Sequence, residues 1–380
     1  MNELSETNLQ LRSLVKSSGQ LEISVQAVLT QPPKADEVVI RIQASPINPS
    51  DLGILLGSLE IDNFRQSDVA GQPQITADIS PSILAALTGR HDQSMPVGNE
   101  GAGEVIAAGD SEAAQALLGK TVAGMGGGMY CQYRTLNVSQ CLVLNEGTTA
   151  RQGAACFINP LTSLGMVETM KIQGQAALIH TAAASNLGQM LQKICLADGI
   201  PLINIVRKPE QGKILREIGA TYVCNSRADS FAFDLKKAIS ETGAYIAFDA
   251  TGGGELANDI LVAMEAAASE HMKTYSRYGS NQHKQVYLYG GLQRSPTILK
   301  RNYGMQWSVG GWLLTPFLQR SGADRVAQLR QRVLDELTTT FASNYNREIS
   351  LSDILSLDTL KEYSQQSTGH KFLVNPSLGN

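Results

Sequence analysis

Between Ala177 and Arg207 the chain reads as an apolar strand, a loop of small residues, a helix, and a second apolar strand ending in cations. AALIHT (Ala176 to Thr181) has the character of a buried strand. AAASNLG (Ala182 to Gly188) follows, then QMLQKICLADG and PLINIVRK. Strand, tight loop, helix and strand over about thirty residues make a βαβ unit. Such a loop sets backbone N–H groups and a helix N-terminus against an anionic ligand. It is not the Gly-x-Gly-x-x-Gly fingerprint, because alanines stand at the first two glycine positions and only Gly188 remains. An ordinary strand–helix junction with small residues for close packing is the alternative. The second strand ends in Arg207 and Lys208. A carboxylate for the ribose hydroxyls of NAD is absent there, and two cations suit the extra phosphate of NADP.

A chain of 380 residues is long enough for two domains. With 43% hydrophobic and 17% charged residues, it is expected to be globular with a sizeable core. A net charge of −4 argues against non-specific nucleic-acid binding. No apolar run reaches membrane-crossing length, and MNELSETNLQLRS lacks a signal-peptide core. Cys131, Cys141, Cys156, Cys195 and Cys224 are scattered, odd in number and without a Cys-x-x-Cys pair. Neither a disulfide framework nor a structural zinc site is expected, and a reducing cytoplasm fits.

Up to about Asn145 short strands and turns dominate: EVVIRIQAS alternates, and AGEVIAAG and GKTVAGM are strands closed by glycine. This points to a barrel-like β domain. Ser58 to Met95 breaks the rhythm as a long polar segment with one helix, capped by Ser80, started by Pro81 and ended at Gly89. From about Pro160 to Trp312 strands and helices alternate, as in a doubly wound parallel sheet. Ser269 to Lys284 is a second polar interruption, a surface turn or a flap. The tail carries the periodic helix RVAQLRQRVLDELTTTFA, a shorter helix and the closing strand HKFLVNP.

The order of segments resembles the medium-chain dehydrogenase/reductase superfamily. The resemblance rests on SPINPSDLGILLG (Ser45 to Gly57), VGNEGAGEVIAAG (Val97 to Gly109), INPLTSLGM (Ile158 to Met166), AAASNLG, FDATGGG, LYGGL and GHKFLV, in that sequence. It implies a GroES-like β-barrel catalytic domain over 1–157 and 315–380, and a Rossmann domain over 158–314. Zinc-dependent alcohol dehydrogenases of the superfamily carry Cys, His and Cys as catalytic ligands in these segments. The matching positions here are Asn48, Asn99 and Ile158, and neither Asn nor Ile is a credible zinc ligand. The four-cysteine structural lobe is missing as well. The chain therefore resembles the zinc-free branch, the NADPH:quinone oxidoreductases, with enoyl thioester reductases as relatives. The catalytic tyrosine of the latter has no counterpart, since GSLEIDNF contains none.

The resemblance implies roles for individual residues. Asn48 is the first candidate in the substrate cleft, donating to a substrate carbonyl or orienting the nicotinamide ribose; holding a turn before Pro49 is the alternative. Tyr130 lies where relatives place an aromatic near the cleft, or else is a core tyrosine. Asp51 and Glu100 are read as holding backbone rather than acting as acids. Thr162 would approach the nicotinamide, and Ala183, Ala184, Ser185, Asn186, Leu187 and Gly188 would pass beneath the pyrophosphate. Arg207 and Lys208 would flank the 2′-phosphate, and Asn225 would border adenosine. Asp249, Ala250 and Thr251, like Tyr289, Gly290 and Gly291, end later strands, where ligands of open α/β sheets sit. Gly310 and Trp312 would lie near the nicotinamide or a dimer seam, and Lys371 is a further phosphate candidate. The implied function is NADPH-dependent reduction of a quinone or enone without a metal, by a homodimer joined along QWSVGGWLL. Enoyl thioester reduction and non-catalytic NADPH binding are the alternatives.

Overall fold

A computed structural model describes residues 7–69, 71–365 and 368–378. In chain order the strands are β1 (Thr7–Lys16), β2 (Gln20–Leu29), β3 (Glu37–Pro46), β4 (Phe64–Val69), β5 (Gln72–Asp78), β6 (Ser94–Pro96), β7 (Glu100–Ala108), β8 (Thr121–Met125), β9 (Tyr133–Asn137) and β10 (Cys141–Val143). Next come β11 (Leu178–His180), β12 (Leu202–Val206), β13 (Tyr222–Asn225), β14 (Ile246–Asp249), β15 (Lys284–Leu288) and β16 (Trp307–Gly311), followed by β17 (Arg347–Ile349) and β18 (Phe372–Val374). The chain forms two units, one of residues 1–158 with 333–380 and one of residues 159–332.

The first unit holds a five-stranded sheet in the order β4-β5-β2-β1-β6 and a second in the order β10-β8-β7-β3-β18-β17, with β9 also pairing β3. Alternating residues of β1 and β2 explain the first sheet. Leu11, Val15, Leu21 and Ile23 turn inward onto Leu55, Ile75, Tyr130, Leu355 and Phe372. In β3, Val38, Val39 and Ile40 are all fully buried, so this strand is covered on both faces. The Ser58 to Met95 segment holds the expected helix, Pro81–Ala86 with Ser80 at its N-cap. It also holds a hairpin the sequence reading lacks, β4 and β5 turning at Gly71 (φ +78°). β4 exposes every residue after Phe64, so it carries no apolar alternation to read.

The second unit is one parallel sheet in the order β13-β12-β11-β14-β15-β16. Ile179, Ile203, Ile205, Ala247 and Val286 form its apolar face, against Leu235 and Ile239 of helix Phe231–Thr242 and Ile260 and Met264 of helix Leu256–Glu270. On the opposite face Phe248 stacks on Tyr287 and meets Trp312 edge-on. The unit runs past residue 314, the boundary expected from sequence. Phe317 packs on Trp312 at 5.6 Å, Arg325 pairs with Glu168 at 2.7 Å and Arg332 with Asp198 at 2.9 Å, so the return to the first unit comes at Val333.

The Ser269 to Lys284 interruption ends in a buried ion pair. Lys284 is 0% exposed and its ammonium donates to Glu265 Oε2 at 2.6 Å, Gln282 O at 2.9 Å and Ser280 Oγ at 3.2 Å. Glu265 Oε1 accepts the Ser280 N–H at 2.7 Å, which ties this loop to the helix before it. Three donors of the ammonium thus meet three acceptors, the condition under which a buried charge is tolerated.

Candidate active site

In the second unit the strand order reverses direction of growth at β11, which lies between β12 and β14. Open α/β sheets bind ligands at the carboxyl end of such a switch point. Here the loops after β11 and β14 are tied together. Thr181 Oγ1 donates to Asp249 Oδ1 at 2.6 Å and accepts the Ala250 N–H at 2.8 Å. Asp249 also accepts the N–H groups of Thr251 at 2.8 Å and Gly252 at 3.1 Å. Its carboxylate therefore holds the loop at the end of β14.

After Thr181 the backbone of Ala182 turns left-handed (φ +51°), a conformation that alanine adopts only at a cost. Ala183 and Ala184 are buried, and Ser185 caps the twelve-residue helix Asn186–Ala197, its Oγ accepting the Gly188 N–H at 3.2 Å. The Leu187 carbonyl accepts from Ser163 Oγ at 3.2 Å. A Cβ on Gly188 would stand 2.1 Å from the Ala183 carbonyl oxygen, so only glycine fits there. The loop that sequence reading assigned to a pyrophosphate is thus a formed structure with small side chains, ending in the positive pole of a helix.

Arg207 and Lys208 follow β12 with exposed side chains, and their backbone N–H groups share Gln211 Oε1 at 3.0 and 3.2 Å. Asn225 ends β13, its Oδ1 accepting the Arg227 N–H at 3.0 Å. These residues share the carboxyl edge of β11, β12 and β13 with the loop. Tyr289, just past β15, hydrogen-bonds His180 Nε2 at 2.7 Å, with the two rings stacked at 5.7 Å. Burial pushes the His180 imidazole down to about 3, so it is neutral, and its Nδ1 has no partner among the described residues. Sequence reading missed His180; a polar residue closing the apolar run of β11 was the available signal. Gly290 lies against Ala250, where a Cβ would stand 2.7 Å from its carbonyl oxygen, and Gly291 is open. Thr162 is buried in helix Ile158–Ile172, and Gly310 lies in β16 opposite Tyr287. Trp312 is buried: its Nε1 donates to Thr169 Oγ1 at 3.0 Å and its ring meets Phe248 edge-on.

The first unit holds a buried polar cluster. Asn48 sits between β3 and helix Pro49–Leu55, 2% exposed. Its Nδ2 donates to Glu100 Oε1 at 2.8 Å, while Glu100 Oε2 accepts the N–H groups of Phe157 at 2.8 Å and Ile158 at 3.0 Å. Asp51 accepts the Asn48 N–H and the Asn99 N–H, both at 2.8 Å. Both carboxylates hold backbone, as their sequence context leads one to expect. Burial pushes Asp51 up to about 7 and raises Glu100 as well. One of the two Asn48 Nδ2 donors is therefore committed to Glu100, and Oδ1 has no partner among the described residues. Tyr130 is fully buried, its hydroxyl donating to the Pro46 carbonyl at 3.0 Å. It anchors the core rather than a cleft. Lys371, the further phosphate candidate, is half-buried in the same unit. Its amine faces Glu100 and Asp51, lies 3.4 Å from Ser343 Oγ and sits 5.4 Å from the centre of the Tyr345 ring.

No protein-family model matches the chain. A stretch of 127 residues is 32% identical to a quinone oxidoreductase of Pseudomonas aeruginosa, covering 33% of this chain and 39% of that protein. Another, of 304 residues, is 24% identical to the mitochondrial enoyl-acyl-carrier-protein reductase of Saccharomyces cerevisiae, covering 76% of this chain and 72% of that one. A match at 25% identity covers 67% of this chain but 11% of a mycocerosic acid synthase-like polyketide synthase of Mycobacterium tuberculosis. The chain thus spans well under two thirds of two of these curated relatives. Among solved structures, a Mesorhizobium loti protein assigned as an NADPH:quinone reductase superposes with a TM-score of 0.75 at 23% identity, covering 99% of this chain and 100% of that one. The Escherichia coli quinone oxidoreductase, solved with NADPH, gives 0.69 at 15% identity, covering 97% and 100%. The chain shares the fold of these two solved proteins.

Asn48, Asn99 and Ile158 are the positions that the resemblance set against zinc ligands of zinc-dependent relatives. The structure gives the two amides other work. Asn48 binds Glu100, and Asn99 Nδ2 donates to Ser50 Oγ at 2.9 Å. Among the described residues, no group of three His, Cys, Asp or Glu side chains is placed to hold a metal ion. The nearby Cys156 is buried, and burial raises its thiol far from the range in which a thiolate forms.

Proposed function

We propose that this chain is an NADPH-dependent reductase of quinones or related conjugated carbonyls that works without a metal. One observation carries the reading: the small-residue loop Ala182 to Gly188 is formed around a helix N-terminus, and the next strand ends in the exposed cations Arg207 and Lys208. A pyrophosphate fits the first feature and a 2′-phosphate the second. When bound, NADPH supplies a hydride. The chain's own residues then bind and orient it, exclude water, and meet the charge that develops on the substrate. A simple ketone would place that charge on one alkoxide oxygen, which calls for a Lewis acid. A conjugated system spreads it, and a few hydrogen-bonding groups suffice.

The test is NADPH oxidation across a panel of quinones, enones and a crotonyl thioester, with NADH alongside and a chelator present. Turnover of a quinone or enone, undiminished by the chelator, is expected. Chelator inhibition reversed by zinc would remove the metal-free reading. The yeast enoyl reductase match, over 76% of this chain, favours the thioester as a second reading. A crotonyl thioester turned over faster than any quinone would install it.

Arg207→Glu is expected to weaken NADPH binding by about tenfold to a hundredfold, the worth of one charge-assisted contact to phosphate, and NADH binding far less. Fluorescence titration with both nucleotides checks this; equal losses would remove Arg207 from the 2′-phosphate. The reading includes a homodimer. β16 is the last strand of its sheet and has a neighbour on one side only among the described residues. A monomer on a sizing column would end that part of the reading.

A further inference from the structure

The second unit buries a polar row on the sheet face that carries Phe248 and Tyr287. His180 of β11 pairs in register with Asn204 of β12 and with Phe248 of β14. Paired residues of a parallel ladder share a face, so the His180 and Asn204 side chains emerge side by side. Both are 0% exposed, and Gln192 of helix Asn186–Ala197, 3% exposed, reaches Asn204 from above. Each of the two keeps one polar atom without a partner among the described residues, His180 Nδ1 and Asn204 Oδ1. A buried donor or acceptor left unmatched costs about 1–3 kcal/mol, so two on neighbouring strands call for something that joins them.

The bonds these residues do make turn the two atoms toward each other. Asn204 Nδ2 donates to Gln192 Oε1 at 2.7 Å and to the Tyr222 carbonyl of β13 at 3.3 Å. A backbone carbonyl only accepts, so the amide cannot be reversed. With Nδ2 on the β13 side of β12, Oδ1 lies on the β11 side. His180 Nε2 reaches the other way, across β14, to the Tyr289 hydroxyl at 2.7 Å. Nδ1 is on the opposite edge of the imidazole and so faces β12. The two atoms do not bond each other directly. Neighbouring strands run about 4.8 Å apart, and a water with bonds of about 2.8 Å on each side spans such a gap. Of the atoms named, Asn204 Oδ1, Gln192 Oε1 and the Tyr222 carbonyl accept, and both Asn204 N–H groups are spent. His180 Nδ1 is left to donate.

We infer that one internal water joins His180 Nδ1 to Asn204 Oδ1 and fixes the imidazole as its Nδ1–H tautomer, and, resting on the reductase reading above, that His180 is thereby a positioning residue of the nucleotide crevice. The water accepts from Nδ1–H and donates to Asn204 Oδ1, and the second lone pair of Gln192 Oε1 takes its other hydrogen. That makes three bonds, the usual number for a buried water. Nε2 then carries a lone pair, and the Tyr289 hydroxyl donates to it. The Tyr289 proton is directed inward, so this tyrosine works by its placement and not as an acid. The bond crosses β14 and fastens the residue after β15 to the residue before the Thr181–Ala182 turn. Tyr289 N–H donates to the Asp249 carbonyl at 3.0 Å and Leu292 N–H to the Ala250 carbonyl at 3.1 Å. The loops after β11, β14 and β15 are therefore one assembly at the edge where ligands of such sheets bind. Burial holds the ring neutral, down to about 3, so the arrangement persists at neutral pH.

Three measurements test this. In the full chain without nucleotide, 15N-labelled histidine reports which ring nitrogen carries hydrogen, with His180 assigned by the signal lost in His180→Gln. Should that variant not fold, His180 is the ring that stays neutral at a pH of about 5, below the ordinary imidazole midpoint of about 6.5. A protonated Nδ1 beside a bare Nε2 is expected; a protonated Nε2 overturns the proposal. A crystal structure should show a water within hydrogen-bond reach of both His180 Nδ1 and Asn204 Oδ1, and a dry gap there overturns it as well. Tyr289→Phe removes the donor to Nε2 and keeps the ring. It should weaken NADPH and NADH binding alike, each by about threefold to tenfold, the worth of one hydrogen bond, while Nδ1 keeps its hydrogen. Unchanged affinity for both nucleotides removes the positioning role, and a switched tautomer removes the water as its cause. If wild type binds neither nucleotide, the reductase reading falls and takes the positioning role with it, while the spectrum of the nucleotide-free chain decides the tautomer by itself.

Discussion

Gly188→Ala is expected to destabilise the second unit by about 3 kcal/mol and to abolish measurable NADPH binding. The alanine Cβ would stand 2.1 Å from the Ala183 carbonyl oxygen and 2.6 Å from its carbon, a contact with backbone that no rotamer change relieves. Either the helix Asn186–Ala197 slides outward or the loop from Ala182 opens, and both moves separate the groups that would meet a phosphate. For a unit of this size the loss corresponds to roughly 6–12 °C in Tm. Gly291→Ala is the matched control, since a Cβ there meets nothing within 4 Å, and it should melt as wild type does. Differential scanning calorimetry and a nucleotide titration of both variants check the pair. A Gly188→Ala protein that melts with wild type and binds NADPH would show that this close approach does not shape the loop.

Lys284→Met is expected to cost about 3–5 kcal/mol, because it leaves the Glu265 carboxylate buried without its counter-charge. The Lys284 ammonium is fully enclosed and meets Glu265 Oε2 at 2.6 Å. Glu265→Gln placed on top of Lys284→Met should restore part of the loss. The amide removes the stranded charge and keeps an acceptor for the Ser280 N–H. In the single variant the carboxyl group titrates upward, so its deficit against wild type should shrink as pH falls and the group is protonated. Urea unfolding of wild type, single and double variants at two pH values gives all three quantities. An additive double variant would show that the two side chains do not act as a pair.

The sheet of the second unit was legible in the sequence because its strands are apolar runs between amphipathic helices, and the loops between them are marked by glycine and small residues. Ile203 and Ile205 are buried on one face of β12 and Leu202 and Val206 are buried as well, a pattern only a doubly covered strand gives. The β4–β5 hairpin was not legible because its outer strand is polar and exposed along its length. The site was legible in part. Small residues at Ala183 to Gly188 and cations at Arg207 and Lys208 announce themselves by type. What Asn48, Trp312 and Lys371 do depends on partners distant in sequence. Asn48 meets Glu100 across 52 positions and Trp312 meets Thr169 across 143, and no local pattern encodes either meeting.

The pairing of β3 with β18 has a consequence for how the chain is made. The strand that completes the Ser45–Pro46 end of β3 is Phe372–Val374, and the whole of 159–332 is encoded between them. On a ribosome adding about 5–20 residues per second, that seam stays open for on the order of tens of seconds. Residues 159–332 leave the exit tunnel as a finished set during the wait. The later unit in the sequence can therefore fold first, and the nascent chain carries an incomplete sheet until its last strand is translated.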